Sequence, residues 1–306
     1  MTRVAAIDCG TNSIRLLVAD LPADPGDALV DVTRRMEIVR LGQGVDRTGR
    51  LAPDAIERTR VALADYVAEI TELGATRVRM VATSATRDAA NAADFQSMVE
   101  RTLGVEPEVV SGDEEARLSF AGAARGLGSA PAPYLVIDIG GGSTEFVLGD
   151  RTPSSAISVD IGCVRITERH LTSDPPTPEE VAAAEATISA KVEDALSVVP
   201  GHQARTMIGL AGSVTTVTAL ALGLASYQPE RIHHARVSRA DVRRVTEHLL
   251  GLTHSERLAL PAMHPGRADV IGAGALILRV IMDRVGADSV IASEHDILDG
   301  IAWSLS

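Results

Sequence analysis

The stretch YLVIDIGGGSTEFVLGD (Tyr134–Asp150) decides how this chain is read. Its flanks, LVID and EFVLG, are apolar and rich in strand-forming residues, so each reads as a β-strand. Gly140, Gly141 and Gly142 then fall in the turn of a hairpin. A tight turn needs fewer glycines. A run without side chains lets a ligand approach backbone N–H groups closely, the alternative being a loose hairpin tip. A dinucleotide-binding G-x-G-x-x-G loop would open a helix after the strand. Here an alternating strand follows instead, so a strand–loop–strand phosphate clamp fits better.

A second copy lies near the N-terminus. Residues 4–20, VAAIDCGTNSIRLLVAD, align with residues 134–150 at a constant offset. Ile7 meets Ile137, Asp8 meets Asp138, Gly10 meets Gly140, Ser13 meets Ser143 and Asp20 meets Asp150. Both copies read strand, Asp-x-Gly turn, Ser, strand. Two such loops nearly half a chain apart point to an internal duplication and to two domains, 1–127 and 128–306. The Gly- and Pro-rich stretch RGLGSAPAP (125–133) is the expected hinge.

The loops carry the chemistry of anion binding. Gly10, Thr11, Asn12 and Ser13 in the first copy, and Gly140, Gly141, Gly142, Ser143 and Thr144 in the second, offer successive N–H groups and hydroxyls. Asp8, Asp138 and Glu145 add hard oxygen donors, which with phosphate oxygens are what Mg²⁺ selects.

Composition narrows the classes. The formal net charge of -12 argues against a general nucleic-acid surface, and 2% aromatic residues leave few stacking platforms for bases. Lys191 is the one lysine, so no Gly-Lys pair exists for a Walker-type loop. Phosphate binding must rest on N–H groups, hydroxyls, arginines and a metal; genome composition explains the arginine bias equally well. No apolar run is long enough to span a membrane, and the N-terminus runs straight into a strand with no visible signal peptide. Cys9 and Cys163 form no disulfide framework and fit a reducing cytoplasm.

Between the two loops, PDAIERTRVALADYVAEITELG (53–74) has a helical apolar stripe with Pro53 in its first turn and Gly74 as a stop. RVRMVAT (77–83) reads as a buried strand leading to a polar loop that holds Arg87, a phosphate ligand or a solvated arginine. In EVVSGDEEARLSF, Ser111 has the look of a helix N-cap, and Glu114, three residues on, completes a capping box. Glu115 has no such structural task, which leaves it for orienting water or for the solvated surface.

Taken together, AAIDCGTNSIRLLVAD, MVATSATRDA, SGDEEARLSFAG, VIDIGGGSTEFVLG and DIGCVRITE, in this order, resemble the exopolyphosphatase and guanosine pentaphosphate phosphohydrolase family of the actin and sugar-kinase fold superfamily. The resemblance covers essentially the whole chain. It implies an α/β fold of two ribonuclease-H-like (actin-like ATPase) domains with a cleft between them. It also implies that the two loops hold phosphates from opposite sides and that Arg87 contacts phosphate. Glu115 becomes the catalytic glutamate that positions or activates water, and Asp138 and Glu145 stand with Mg²⁺, for which Mn²⁺ can substitute. The expected activity is that of a cytoplasmic exopolyphosphatase releasing terminal phosphate from inorganic polyphosphate. Hydrolysis of guanosine pentaphosphate to the tetraphosphate is the alternative within the class, and a low-turnover nucleotide sensor is the alternative outside it. Nucleic acid and membrane are not expected partners; a homodimer is left open. Longer relatives continue into a helical HD-type region, which this chain is expected to lack. GLAGSVTTV (209–217) is only a loose match to the superfamily's adenosine loop, and Asp269 and Asp296 are read as structural or cleft-lining.

Overall fold

The computed structural model describes residues 2–24, 27–127 and 130–306. They form two compact units, Met1–Gly126 with Asp296–Ser306, and Leu127–His295. The division expected from sequence placed all of 128–306 in the second domain. Asp296–Ser306 instead packs with the first unit, because Ile297, Leu298, Ile301 and Ala302 bury their apolar face beside Val4, Ala6 and Leu17. Of the expected hinge at 125–133, residues 128 and 129 lie outside the described residues.

The first unit is built on a mixed sheet of β1 (Thr2–Cys9), β2 (Ser13–Leu21), β3 (Val30–Ile38), β4 (Arg77–Ala82) and β5 (Glu108–Val109), in the order β3-β2-β1-β4-β5. The first three strands are antiparallel neighbours, and β4 and β5 continue the sheet in parallel with β1. Strand residues alternate between faces, so one sheet serves two cores. Ala5, Ile7 and Cys9 join Leu63, Tyr66, Phe95 and Val99 from the helices Pro53–Leu73 and Ala92–Leu103. Val4 and Ala6 face the other way, toward Leu118 of the helix Gly112–Ala123 and Ile301 of the helix Ile297–Trp303. Pro53 and Gly74 delimit the first of these helices as expected; Gly74 takes the left-handed φ of 71° that closes a helix.

The second unit repeats the plan. Its strands are β6 (Tyr134–Ile139), β7 (Thr144–Gly149), β8 (Pro153–Val159), β9 (Thr206–Leu210), β10 (Arg236–Ser238) and β11 (Ser289–Ala292). Their order is β10-β11-β9-β6-β7-β8. With the antiparallel edge strand β10 set aside, β8-β7-β6-β9-β11 reproduces β3-β2-β1-β4-β5 in order and direction. This is the ribonuclease-H-like order, twice, and the α/β class expected from sequence is the one observed. Leu135, Ile137, Ile139, Phe146 and Leu148 share a core with the helices Pro178–Val198 and Ile271–Val285. Among the described residues, no helix is long and apolar enough to cross a membrane.

Candidate active site

The second glycine loop is fixed from behind. The N–H of Gly140 donates to the carbonyl of Ser143 at 3.0 Å, closing the turn. The carbonyls of the glycines then point at the helix Cys163–His170. Gly140 accepts from the Cys163 N–H at 2.9 Å, and Gly141 accepts from Val164 and Arg165 at 2.9 and 3.1 Å. Gly142 accepts from the Arg165 side-chain Nε at 2.8 Å. In a trans peptide the carbonyl of one residue and the N–H of the next point in opposite directions. The N–H groups of Gly141, Gly142 and Ser143 therefore turn away from the helix, as an anion-binding nest requires.

The first loop repeats the device with different partners. Gly10 N–H closes the turn on the Ser13 carbonyl at 2.9 Å. The Thr11 carbonyl accepts from Gly42 at 2.8 Å, and the Asn12 carbonyl from Val39 and Arg40 at 3.1 and 2.9 Å. By the same peptide geometry, the N–H groups of Asn12 and Ser13 turn outward. A glycine allows the close approach in both units: a Cβ on Gly42 would collide with Thr11, and one on Gly162 with the backbone of Gly141 and Gly142. The duplication seen in sequence is thus a duplication of braced, N–H-presenting loops.

The hydroxyls divide. Thr11 Oγ1 pairs with Ser84 Oγ at 3.0 Å at the end of β4. Thr144, expected among the phosphate-binding hydroxyls, is fully buried and donates to the Ile161 carbonyl at 2.5 Å. Its proton is spent on the loop's own framework, so Thr144 is a brace.

Arg87 and Glu115 come from separate elements and meet. Arg87 ends a single helical turn after β4, and its Nη1 donates to the Val110 carbonyl at 2.9 Å and to Glu115 Oε2 at 3.2 Å. Glu115 sits in the first turn of the helix Gly112–Ala123 with only 8% of its surface exposed. Ser111 caps that helix by accepting from the Glu114 N–H at 3.2 Å, as expected. The Glu114 carboxylate, expected to complete the box, lies 3.9 Å from Arg79 Nη2 instead.

The largest departure concerns Asp8. Expected as a metal ligand, it stands opposite Arg15 in the β1–β2 register and accepts from Arg15 Nε at 2.9 Å and Nη2 at 2.6 Å. Arg15 Nη1 also binds the Asp296 carboxylate, which in turn caps the helix Ile297–Trp303 through the Leu298 N–H at 3.0 Å. Burial pushes the Asp8 carboxyl up, Arg15 pulls it back and Asp296 adds to the rise, so Asp8 stays above the ordinary range. Burial acts against the charged form of Asp296 as well, but Arg15, the Leu298 N–H and Arg34 hold it below its usual value. Arg15 was absent from the sequence-derived set, although the alignment of the two copies places it on Glu145.

In the second unit the same strand pair brings Asp138 and Glu145 opposite each other. They are 7% and 1% exposed, and Glu145 Oε1 accepts from Ser158 Oγ at 2.7 Å. Cross-strand partners place their Cβ atoms about 5 Å apart on one face. The donor set is two hard carboxylates, and among the described residues no cluster of three or more His, Cys, Asp or Glu could hold a metal by itself. That suits a cation such as Mg²⁺, which is commonly bound through one or two carboxylates with water and phosphate oxygens completing its shell.

Each unit thus carries a braced, N–H-presenting loop, the first together with a buried glutamate held by an arginine and the second with a pair of facing carboxylates. The Ppx/GppA phosphatase family model matches residues 22–305, and the chain belongs to that family. It is 54% identical to Exopolyphosphatase 2 of Mycobacterium tuberculosis, over all of this chain and 99% of that protein. It also resembles the crystal structure of an exopolyphosphatase-like protein, with a TM-score of 0.95 and 43% identity over 99% of this chain and 98% of the other. The PPX-GPPA enzyme of Aquifex aeolicus is similar at a TM-score of 0.83 and 32% identity, over 99% of both chains.

Proposed function

We propose that this protein is an exopolyphosphatase that releases terminal phosphate from inorganic polyphosphate, processively and with Mg²⁺. The observation that carries the reading is the glycine loop, in which the carbonyls of Gly140, Gly141 and Gly142 are all drawn toward the helix Cys163–His170. Full-length similarity to a protein named exopolyphosphatase supports the substrate class.

Hydrolysis of a terminal phosphoanhydride needs three things: bound anionic oxygens, neutralised charge and an oriented water. The loops supply the first, the N–H groups of Asn12 and Ser13 in the first unit and of Gly141, Gly142 and Ser143 in the second. Asp138 and Glu145 would hold the divalent cation, Mg²⁺ or Mn²⁺, which when bound offsets the negative charge of phosphoryl oxygens. Glu115 holds the attacking water and takes its proton as the new P–O bond forms and the bond to the polyphosphate leaving group breaks. Arg87 fixes the Glu115 carboxylate through Oε2 and offers the rest of its guanidinium to a phosphoryl oxygen. Asp8 serves elsewhere: it pairs with Arg15, which in turn binds the β1–β2 hairpin to Asp296. Two free, buried cysteines support a cytoplasmic setting.

The sequence resemblance that includes guanosine pentaphosphate phosphohydrolases gives reason to test guanosine pentaphosphate as a second substrate. Phosphate release from polyphosphate and from guanosine pentaphosphate, each with Mg²⁺ and with chelator, tests the proposal. Preferential turnover of polyphosphate is expected. Turnover of guanosine pentaphosphate alone would replace the substrate, and no turnover of either would leave a binding protein.

A further inference from the structure

The two loops present equivalent N–H groups but brace the last carbonyl differently. In the first unit, the Asn12 carbonyl is held by the backbone N–H groups of Val39 and Arg40. In the second, backbone N–H groups of the helix Cys163–His170 hold the carbonyls of Gly140 and Gly141, and the Gly142 carbonyl is taken by the Arg165 side chain, Nε to O at 2.8 Å. Gly142 has no Cβ to restrict its dihedrals, so its peptide can rotate where a bulkier residue's could not. Rotation would turn the Gly142 carbonyl to the anion side and the Ser143 N–H away. It would exchange a donor for a dipole of the wrong sign.

We propose that Arg165 is a positioning residue for phosphate binding, holding the Gly142–Ser143 peptide so that the Ser143 N–H faces the anion. The proposal rests on the reading of the glycine loop as a phosphate site. Arg165 acts through this peptide, and its role differs from that of Arg87, which holds a carboxylate. A hydrogen bond from a charged donor is the stronger kind, and losing it removes both the tether and the orientation. The expected consequence is weaker binding with unchanged chemistry once substrate is bound.

Arg165→Leu and Arg165→Lys separate tether from charge, because lysine keeps the charge without the planar Nε–H. Both should raise KM for polyphosphate about tenfold, leave kcat within about twofold and leave Tm near that of the parent. Restoration of the parent KM by Arg165→Lys would overturn the proposal in favour of a simple charge effect, and so would an unchanged KM in Arg165→Leu. If Arg165→Leu fails to fold, Arg165→Met, which also has no N–H donor, takes its place with the same expectations. A titration with inorganic phosphate, followed at the Ser143 amide by NMR, keeps the test independent of the enzymatic reading. The amide should shift in the parent and much less in the variants. A parent that binds phosphate at Ser143 without hydrolysing polyphosphate would defeat the proposed activity while upholding this inference. An amide shift equal in parent and variants would defeat the inference alone.

Discussion

Arg15 and Glu145 occupy the same position in two copies of one hairpin, Arg15 across from Asp8 and Glu145 across from Asp138. One substitution in the duplicated pattern changes what the pair can do. Asp8 and Arg15 close into an ion pair that reaches Asp296. Asp138 and Glu145 put two carboxylates on one face of the hairpin, with Ser158 Oγ donating to Glu145. The first unit thus spends its pair on structure, and the proposed cation falls to the pair of the second.

The metal assignment leads to a chelation test. Phosphate release should stop on exhaustive removal of divalent cations and return with Mg²⁺ or Mn²⁺. Asp138→Asn and Glu145→Gln should each weaken Mg²⁺ binding by tenfold or more, read by isothermal titration, on the order expected for losing one of few carboxylate ligands. Full activity after chelation would remove the metal from the reaction.

Glu115→Gln should lower kcat by roughly 10²–10⁴, the usual contribution of a positioned acid–base group. Tm and phosphate binding should change little, since glutamine keeps the shape and can still contact Arg87. Parent-like turnover would reject Glu115 as the group that holds water.

The helix that carries Glu115 is seated by two glycines. A Cβ on Gly122 would strike the Asp296 carbonyl, and one on Gly300 the backbone of Leu118. Gly122→Ala and Gly300→Ala should therefore each destabilise the protein by about 1–3 kcal/mol, measured by thermal or denaturant unfolding, with a loss of activity as Glu115 shifts. A neutral result would mean that the two helices can part without cost.

Acid stability should depend on Glu180. Hydroxyls of Thr172 and Ser173 and the backbone N–H groups of Thr177 and Ser173 lower its carboxyl from 4.5 to about 2. The folded form then binds fewer protons than the unfolded form between those values. Stability from this carboxylate is complete above pH 4.5 and is lost as pH falls toward about 2. Glu180→Gln should lower Tm at neutral pH and flatten its decline over that acid range. An unchanged slope would show that the network contributes nothing there.

Local pattern carried much of this architecture. Alternating apolar runs around Asp-x-Gly turns specified two hairpins, because strand periodicity and glycine's freedom are properties of short segments. The offset between copies specified the duplication, and Pro53, Gly74 and Ser111 marked helix ends through interactions that span only a few residues.

Contacts between distant segments were decided elsewhere. No local rule joins Arg15 to Asp296, or sends Asp296–Ser306 back to the first sheet, since apolar periodicity says that a helix face is buried but not against what. The same limit hid Arg165 and the spent hydroxyl of Thr144. Sequence showed that the glycine loop could offer N–H groups. Which way they point depends on what holds the carbonyls, and those partners, Cys163, Val164 and Arg165, come to the loop only when the chain has folded.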